Sequence, residues 1–221
     1  ALGHADWIGN FTLGHRLAGS WLEGPGERDL ALLASHFERG REPERAARHH
    51  VGAAQIALGA GDLSAAVANA ERAVACGASG PLLGAARLVE LDALRYTDRP
   101  AVLDAADEAV LLLPKGSDEF FRAVGLRVAT SINAGRRLDA ADTFGSAMVP
   151  VAAGAERARA VCLARVAQNL IFTGQDVLAD RLLDEIRACY HEDLDPVARG
   201  LEERSVAIAA RARGDVQGQL V

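Results

Sequence analysis

Hydrophobic residues recur along this chain at helical spacing, in segments separated by short polar turns. Apolar positions three and four residues apart predict amphipathic helices, and glycine, proline or a capping side chain marks where a segment begins or ends. Eleven helices are predicted, over residues 6–23, 29–39, 43–58, 63–76, 81–96, 100–113, 118–133, 138–149, 155–172, 177–190 and 196–213. Because the connections are short, consecutive helices are expected to lie antiparallel.

Capping chemistry supports these boundaries. Proline is tolerated in the first helical turn, serine and aspartate cap helix starts, and glycine is favoured where a helix ends. The residues that fit these roles are Pro43, Pro81, Pro100 and Pro196 as first-turn prolines, Ser117 and Asp195 as N-caps, and Gly40, Gly61, Gly77, Gly135, Gly174 and Gly214 at helix ends.

One type of turn recurs five times at nearly constant spacing. These turns begin at Gly61, Asp98, Gly135, Gly174 and Gly214. A period in the range of roughly 20–50 residues indicates a solenoid, in which each unit buries its apolar face against its neighbours. Such a chain offers a long surface for binding and is not expected to hold a central catalytic pocket.

Aligned on their turns, the units carry small or aliphatic residues at shared positions, where two helices of a hairpin can approach closely. These residues are Ala54, Leu91, Val128 and Ala167 seven before the turn, Ala66, Leu103, Ala140 and Ala179 five after it, and Ala73, Val110, Ala147 and Ile186 twelve after it. A slip of one residue in the second and third units is left open, because Asp98 replaces the turn glycine and Arg136-Arg137 adds a position.

Composition indicates an all-α protein. Half of the 221 residues are apolar, but only 5% are aromatic, and alanine dominates the apolar set, as in closely packed helices. The three cysteines (Cys76, Cys162 and Cys189) show no disulfide or zinc-ligand spacing, so they are predicted to be small core residues of a reduced, cytoplasmic protein without a metal site.

The turn and its neighbours resemble the tetratricopeptide repeat. The matching residues are the segment 57–66, followed by Ala70 and Ala73, and then Ala167, Leu170, Gly174, Ala179, Leu183 and Ile186. The period is longer than that of the family, which is about 34 residues, and the family's aromatic positions are mostly aliphatic here. The resemblance covers residues 40–221 and implies a right-handed superhelical solenoid of antiparallel helix pairs.

The first part of the chain carries a second resemblance. The segments 21–24, 36–40 and 43–47 are similar to a junction in large bacterial signalling proteins, in which a Ser/Thr kinase or cyclase and an AAA-type ATPase precede a repeat tail. Residues 1–40 would then be leading helices from an ATPase-like domain and residues 41–221 the repeats, with the last unit incomplete. On this basis the chain is expected to be a piece of a longer polypeptide.

Charge and motifs exclude several functions. The net charge of −6 gives no basic footprint for nucleic acid, and no apolar stretch reaches the roughly 20 residues of a membrane span. No Walker motif, dinucleotide-binding fingerprint, serine elbow or His-Glu-x-x-His motif occurs, so neither a cofactor nor a catalytic residue is predicted. The adjacent His49 and His50 point about 100° apart on a helix and cannot share a metal.

In tetratricopeptide arrays the first helix of each hairpin lines the concave groove, which here implies the positions 13, 10, 6 and 3 residues before each turn. The polar residues at these positions are Arg48, Gln55, Asp92, Arg95, Arg122, Gln168, Arg204 and Arg211. Five arginines against one acid favour a groove for an acidic peptide or a carboxylate. Solvated arginines, or arginines paired with neighbouring acids, are the alternative.

The predicted function is therefore non-catalytic: a protein-interaction domain of a bacterial signalling protein, which binds a peptide or a partner domain. The alternative is an intramolecular regulatory or effector-sensing tail that controls an attached kinase or ATPase. A deep apolar hollow with a few polar groups would favour the alternative.

Overall fold

A computed structural model describes residues 4–24, 26–95 and 100–189, together with 199–200, 203–204 and 206–208. The regular secondary structure of these residues is helical throughout and no strand occurs among them, so the all-α prediction is confirmed. The helices are α1 (His4–Glu23), α2 (Leu30–Arg39), α3 (Pro43–Gly59), α4 (Leu63–Ala75), α5 (Gly80–Leu94), α6 (Pro100–Leu112), α7 (Asp118–Asn133), α8 (Ala140–Ala147), α9 (Glu156–Phe172) and α10 (Asp176–Cys189).

Each of these helices begins and ends within two residues of its predicted bounds. The predicted helix over 196–213 falls mostly outside the described residues, although residues 199, 200, 203, 204 and 206–208 are helical. The turns at Asp98 and Gly214 and the N-cap Asp195 lie outside the described residues.

The chain forms two compact units, Ala1–Leu94 and Arg95–Val221. In the first, α1 packs on α2, α2 on α3, and the hairpin of α3 and α4 on α5. In the second, α6 packs on α7, α7 on α9, and α9 on both α8 and α10. First helices of successive hairpins therefore lie side by side within each unit (α3 with α5, α7 with α9), as in a helical repeat.

The aligned small residues form the contacts inside the hairpins. The four residues seven before the turns are all 0–1% exposed, which confirms the register of the first helices. After the turn, Ala66, Ala73, Ala179 and Ile186 are likewise 0–1% exposed in the first and fourth units. The contact between α3 and α4 is thus made largely by methyl groups.

The second helix of the second unit shows the one-residue slip in register that the sequence left open. Val102 and Ala109 are 2% and 0% exposed, whereas Leu103 and Val110, one position later, are only half-buried. In the third unit, Ala147 is fully buried as predicted, but Ala140 is half-buried because α8 begins only there, behind its N-cap Asp139.

Aspartate and serine side chains start several helices. The Ser117 hydroxyl accepts a hydrogen bond from the backbone N–H of Phe120 at 3.1 Å, as its predicted N-cap role requires. Asp62, inside the repeated turn, accepts one from Ala65 N–H at 2.9 Å. The glycine–aspartate pair of this turn therefore has two separate functions: Gly61 takes a φ of +79° to end α3, and Asp62 begins α4.

Gly40 ends α2 for a different reason than predicted. Its φ is −74°, and the left-handed conformation falls on Arg41, with a φ of +56°. A Cβ at position 40 would lie 3.0 Å from the backbone of Arg16 on α1. Glycine at this position therefore allows α1 to approach the end of α2.

Arg41→Gly should stabilise the first unit. A left-handed backbone costs an L-residue about 1–2 kcal/mol, and glycine costs about 0.5–1 kcal/mol in entropy, so the free energy of unfolding should rise by about 0.5–1 kcal/mol. Urea unfolding of the full chain measures this. The matched control, Arg39→Gly in the last turn of α2, should lower the midpoint; a lower midpoint for Arg41→Gly as well would contradict the prediction.

Ala66→Leu should destabilise the hairpin of α3 and α4. Ala66 is 0% exposed, so three added carbons have no space, and overpacking of this kind costs about 1–3 kcal/mol. Ala68→Leu, at an exposed position of the same helix, should leave the urea midpoint nearly unchanged. Equal midpoints for the two variants would show that the helices do not approach this closely.

Candidate functional site

The polar residues predicted for the binding face are accessible wherever the structure describes them. Arg48, Gln55, Arg122 and Arg204 are exposed, and Asp92, Arg95 and Gln168 are half-buried, while Arg211 lies outside the described residues. Arg48 and Gln55 are seven residues apart on α3 and share a face of that helix. Arg122 and Gln168 belong to α7 and α9 of the second unit.

Of the four rows of residues predicted to line the groove, the row ten residues before the turn does not do so on α3, α5, α7 and α9. In the first four units the residues ten before the turn are buried: Val51 and Leu88 are each 4% exposed, Ala164 is 1% exposed, and Gly125 is also buried. In the fifth unit this position is Arg204, which is exposed. The physical reason for the burial is the contact between neighbouring first helices. At Gly125, a Cβ would lie 3.3 Å from Cδ of Arg165 on α9, so this row joins α7 to α9 and cannot line a groove.

The positions thirteen and six before the first four turns form the accessible face of α3, α5, α7 and α9. They are occupied by Arg48 and Gln55 on α3, Ala85 and Asp92 on α5, Arg122 and Ala129 on α7, and Val161 and Gln168 on α9. None of these side chains is fully buried. We call these two rows the first-helix face.

Two arginines that the sequence analysis did not single out are buried in the second unit. Arg127 is 8% exposed and Arg159 is 6% exposed. An arginine is almost never buried without a carboxylate partner. Arg127 Nη2 donates to Asp142 Oδ2 at 2.7 Å, and its Nη1 lies 3.9 Å from Asp107 Oδ1. These pairs join α6, α7 and α8.

Arg159 pairs with α10. Its Nη2 donates to Glu185 Oε1 at 2.8 Å, and the Cys189 thiol donates to the same oxygen at 3.3 Å. The Arg159 hydrogen bond, with a smaller contribution from Cys189, lowers the pKa of the Glu185 carboxyl below its usual 4.5. Cys189 is exposed at the last position of α10, so its predicted core location is wrong; Cys162 is buried and Cys76 half-buried.

A cavity of about 510 Å³ lies in the second unit, beside the Arg127 ion pairs. Its apolar wall includes Val110, Phe120 and Val149, and its polar groups are Asp107, Lys115, Arg127 and Asp142. Arg127 Nε is buried and has no hydrogen-bond partner in the described part of the chain. Of the four charged groups, Arg127 already forms ion pairs with Asp107 and Asp142.

A polar network joins α1 to α3 in the first unit. Arg45 donates to Glu23, Ser20 and Glu42, and His49 Nε2 lies 2.8 Å from Glu23 Oε1. The Arg45 hydrogen bond is the main reason why the pKa of the Glu23 carboxyl is lowered. The Arg45 guanidinium also lies 3.8 Å above the ring of Phe37, so the leading helices are fixed to the first hairpin by packing as well as by charge.

Three side chains in the first unit form a group with metal-ligand chemistry. They are Glu38 on α2, His50 on α3 and Cys76 at the C-cap of α4, and their donor atoms all lie within 4.8 Å of one another. Sequence spacing did not reveal this group, because its members lie far apart in the sequence and on different helices. His50 is 2% exposed, which fits the predicted inter-helix location, and burial raises the pKa of the Cys76 thiol.

A comparison with known proteins finds no family model that matches the chain, and no curated protein or solved structure that matches it. The resemblance to tetratricopeptide repeats therefore depends on the sequence of the turns and their neighbours, and it stays a prediction.

None of the described helices combines the length and the apolar character that crossing a bilayer requires.

The Arg159–Glu185 pair predicts a specific acid sensitivity. Because the folded pKa of Glu185 is lowered, its contribution to stability is fully present above about pH 4.5 and is lost as the pH falls through the folded pKa. In Glu185→Gln, the free energy of unfolding should therefore fall less steeply with decreasing pH in this range. Urea unfolding at a series of pH values measures the slope.

Arg159→Met provides the matched test, because it removes the main cause of the shift and leaves the carboxyl in place. It should reduce the slope as Glu185→Gln does. An unchanged slope in both variants would show that this pair does not stabilise the folded state.

Proposed function

We propose that this chain is a non-catalytic protein-interaction domain, built as a right-handed superhelical array of tetratricopeptide-like hairpins. One observation carries the proposal: the first helices pack side by side within each unit, yet the first-helix face remains accessible. A buried row that joins the helices beside accessible rows is the arrangement that an extended binding surface requires.

The chemistry of the accessible rows favours an acidic partner. Arg48 on α3 and Arg122 on α7 are both exposed, and a guanidinium can hold a carboxylate with two parallel hydrogen bonds. Arg122 Nη1 lies 4.0 Å from Asp118 Oδ2, one helical turn earlier. This long, exposed ion pair contributes little, so it can be exchanged for a ligand carboxylate.

We further propose that the partner is a peptide or a domain within a bacterial signalling protein, in which kinase and ATPase chemistry belongs to other parts of the polypeptide. The supports for this are the resemblance of residues 21–47 to the junction of such proteins and the packing of α1 on α2 and of α2 on α3.

A second candidate function follows from the cavity beside Arg127. A half-open cavity with an apolar wall and a few charged groups is typical of small-molecule sites. In this alternative the second unit senses a small effector and regulates attached domains.

The peptide proposal can be tested with short fluorescent peptides rich in Asp and Glu, with Lys-rich peptides of equal length for comparison. The full chain should bind acidic peptides more tightly, and added salt should weaken binding by screening. The variant Arg48→Ala/Arg122→Ala should bind at least about tenfold more weakly, since a hydrogen bond between charged groups contributes about 1.5–3 kcal/mol. Fluorescence anisotropy measures the affinity.

The control variant Arg28→Ala/Arg137→Ala makes the same change in charge at exposed positions outside the first-helix face, one in each unit. It should bind like the parent. Equal weakening in both variants would indicate a nonspecific charge effect, and binding of neither kind of peptide would favour the effector-sensing alternative.

A further inference from the structure

The group of Glu38, His50 and Cys76 has a feature that a chance cluster would lack: its histidine is held in one tautomer. Asn69 Nδ2 donates to the backbone oxygen of Ala65 at 2.9 Å, which fixes the orientation of the amide. Asn69 Oδ1 then lies 3.0 Å from His50 Nδ1. Since an amide oxygen only accepts hydrogen bonds, Nδ1 must carry a proton.

Protonation at Nδ1 leaves the lone pair of neutral His50 on Nε2. That nitrogen lies 3.4 Å from Glu38 Oε2. Two acceptors therefore face each other, one on a histidine that is only 2% exposed and one on a carboxylate that is 37% exposed. The arrangement costs free energy at the buried nitrogen, which water does not reach easily. Either a second proton or a cation between the two atoms would resolve it.

The distance favours a cation. A typical N–H···O hydrogen bond is about 2.9–3.0 Å long, whereas 3.4 Å is close to the edge of about 3.3 Å that two ligands span at a tetrahedral zinc ion, with bonds of about 2.0–2.1 Å. The distance between His50 Nε2 and Glu38 Oε2 is therefore close to the separation of two ligand atoms on one zinc ion.

Cys76 supplies a third ligand, and its thiol indicates which metal the site would prefer. Its sulfur lies within 4.8 Å of both other donor atoms, and metal binding requires it to move closer, to the roughly 3.6 Å that a zinc-bound sulfur and nitrogen span. Thiolate and imidazole ligands select zinc over magnesium or calcium, which prefer oxygen.

Neighbouring side chains hold two of the three proposed ligands in place by hydrogen bonds. A zinc-bound histidine commonly donates its other N–H to an oxygen, as His50 does to Asn69. The bound carboxylate is supported in the same way, because Arg72 Nη2 lies 3.1 Å from Glu38 Oε2 and 3.4 Å from Oε1. Arg72 Nη2 is nearer to Oε2 than to Oε1, but Arg72 is 60% exposed, so its side chain has room to move onto Oε1 when Oε2 binds the metal.

We propose that Glu38, His50 and Cys76 bind one zinc ion, with the fourth position open to water or to an external ligand. The ion would join α2, α3 and α4, and so would fix a leading helix to the first hairpin. This site is independent of the proposed peptide binding on the first-helix face.

The test uses the full chain, purified under reducing conditions and stripped of metal with a chelator. Zinc titration against a chromogenic chelator should give one ion per chain, and native mass spectrometry should confirm the stoichiometry. Cobalt in place of zinc should give a thiolate-to-metal charge-transfer band and the intense visible bands of a tetrahedral ion. Saturating zinc should raise the melting temperature.

Two ligand variants and one outer-shell variant separate the contributions. Cys76→Ser and His50→Gln should weaken zinc binding by more than about 100-fold, and Asn69→Ala by about 10–100-fold, as for other outer-shell changes. Cys76→Ser replaces a half-buried thiol by a similar group, so it keeps the test valid if His50→Gln fails to fold. Cys189→Ser and His49→Gln, the matched controls, should bind zinc like the parent.

Two results would overturn the proposal. One is unchanged zinc affinity in Cys76→Ser and His50→Gln, which would place the metal elsewhere. The other is the absence of stoichiometric zinc binding by the metal-free chain. A nitrogen-15 spectrum in which both His50 nitrogens are protonated at neutral pH would then identify a His50–Glu38 ion pair instead.

Discussion

The first unit depends on how closely α3 and α4 can approach each other, and this distance is set by side chains no larger than a methyl group. Ala54, Ala66, Ala70 and Ala73 are all fully buried in the hairpin of α3 and α4. In this hairpin, the close contact of the two backbones contributes the dispersion energy that large side chains supply in most cores. The same limit acts between α7 and α9 at Gly125, and between α1 and α2 at Gly40.

This constraint explains which parts of the fold could be predicted from the sequence. Helix bounds follow from local chemistry, such as the N-caps of Asp62 and Ser117, and alanine is visible at fixed distances from each turn. The sequence did not predict that Arg41, and not Gly40, takes the left-handed conformation at the end of α2. Glycine is needed at position 40 because α1 approaches its backbone, which is a tertiary contact. The burial of Gly125 likewise depends on α9, a helix that begins much later in the chain.

The candidate sites show the same division. The exposure of Arg48 and Gln55 follows from counting back from the turn, so sequence predicted it. The roles of Arg127 and Arg159 could not be predicted from the sequence. In a sequence, a buried arginine cannot be told from a solvated one until its carboxylate partner on another helix is known. Glu38, His50 and Cys76 belong to three helices whose register is fixed only by packing, and no local motif marks them.

Lys115 follows α6 at the edge of the cavity beside Arg127, and it is the only lysine among the 221 residues. Every other basic side chain is an arginine or a histidine, so amine-directed chemistry reaches a single side chain of this protein. A fluorophore or a crosslinker attached through a side-chain amine therefore reports from that cavity alone, without any engineered cysteine. Protection of this one amine would show that a ligand or a partner covers the cavity.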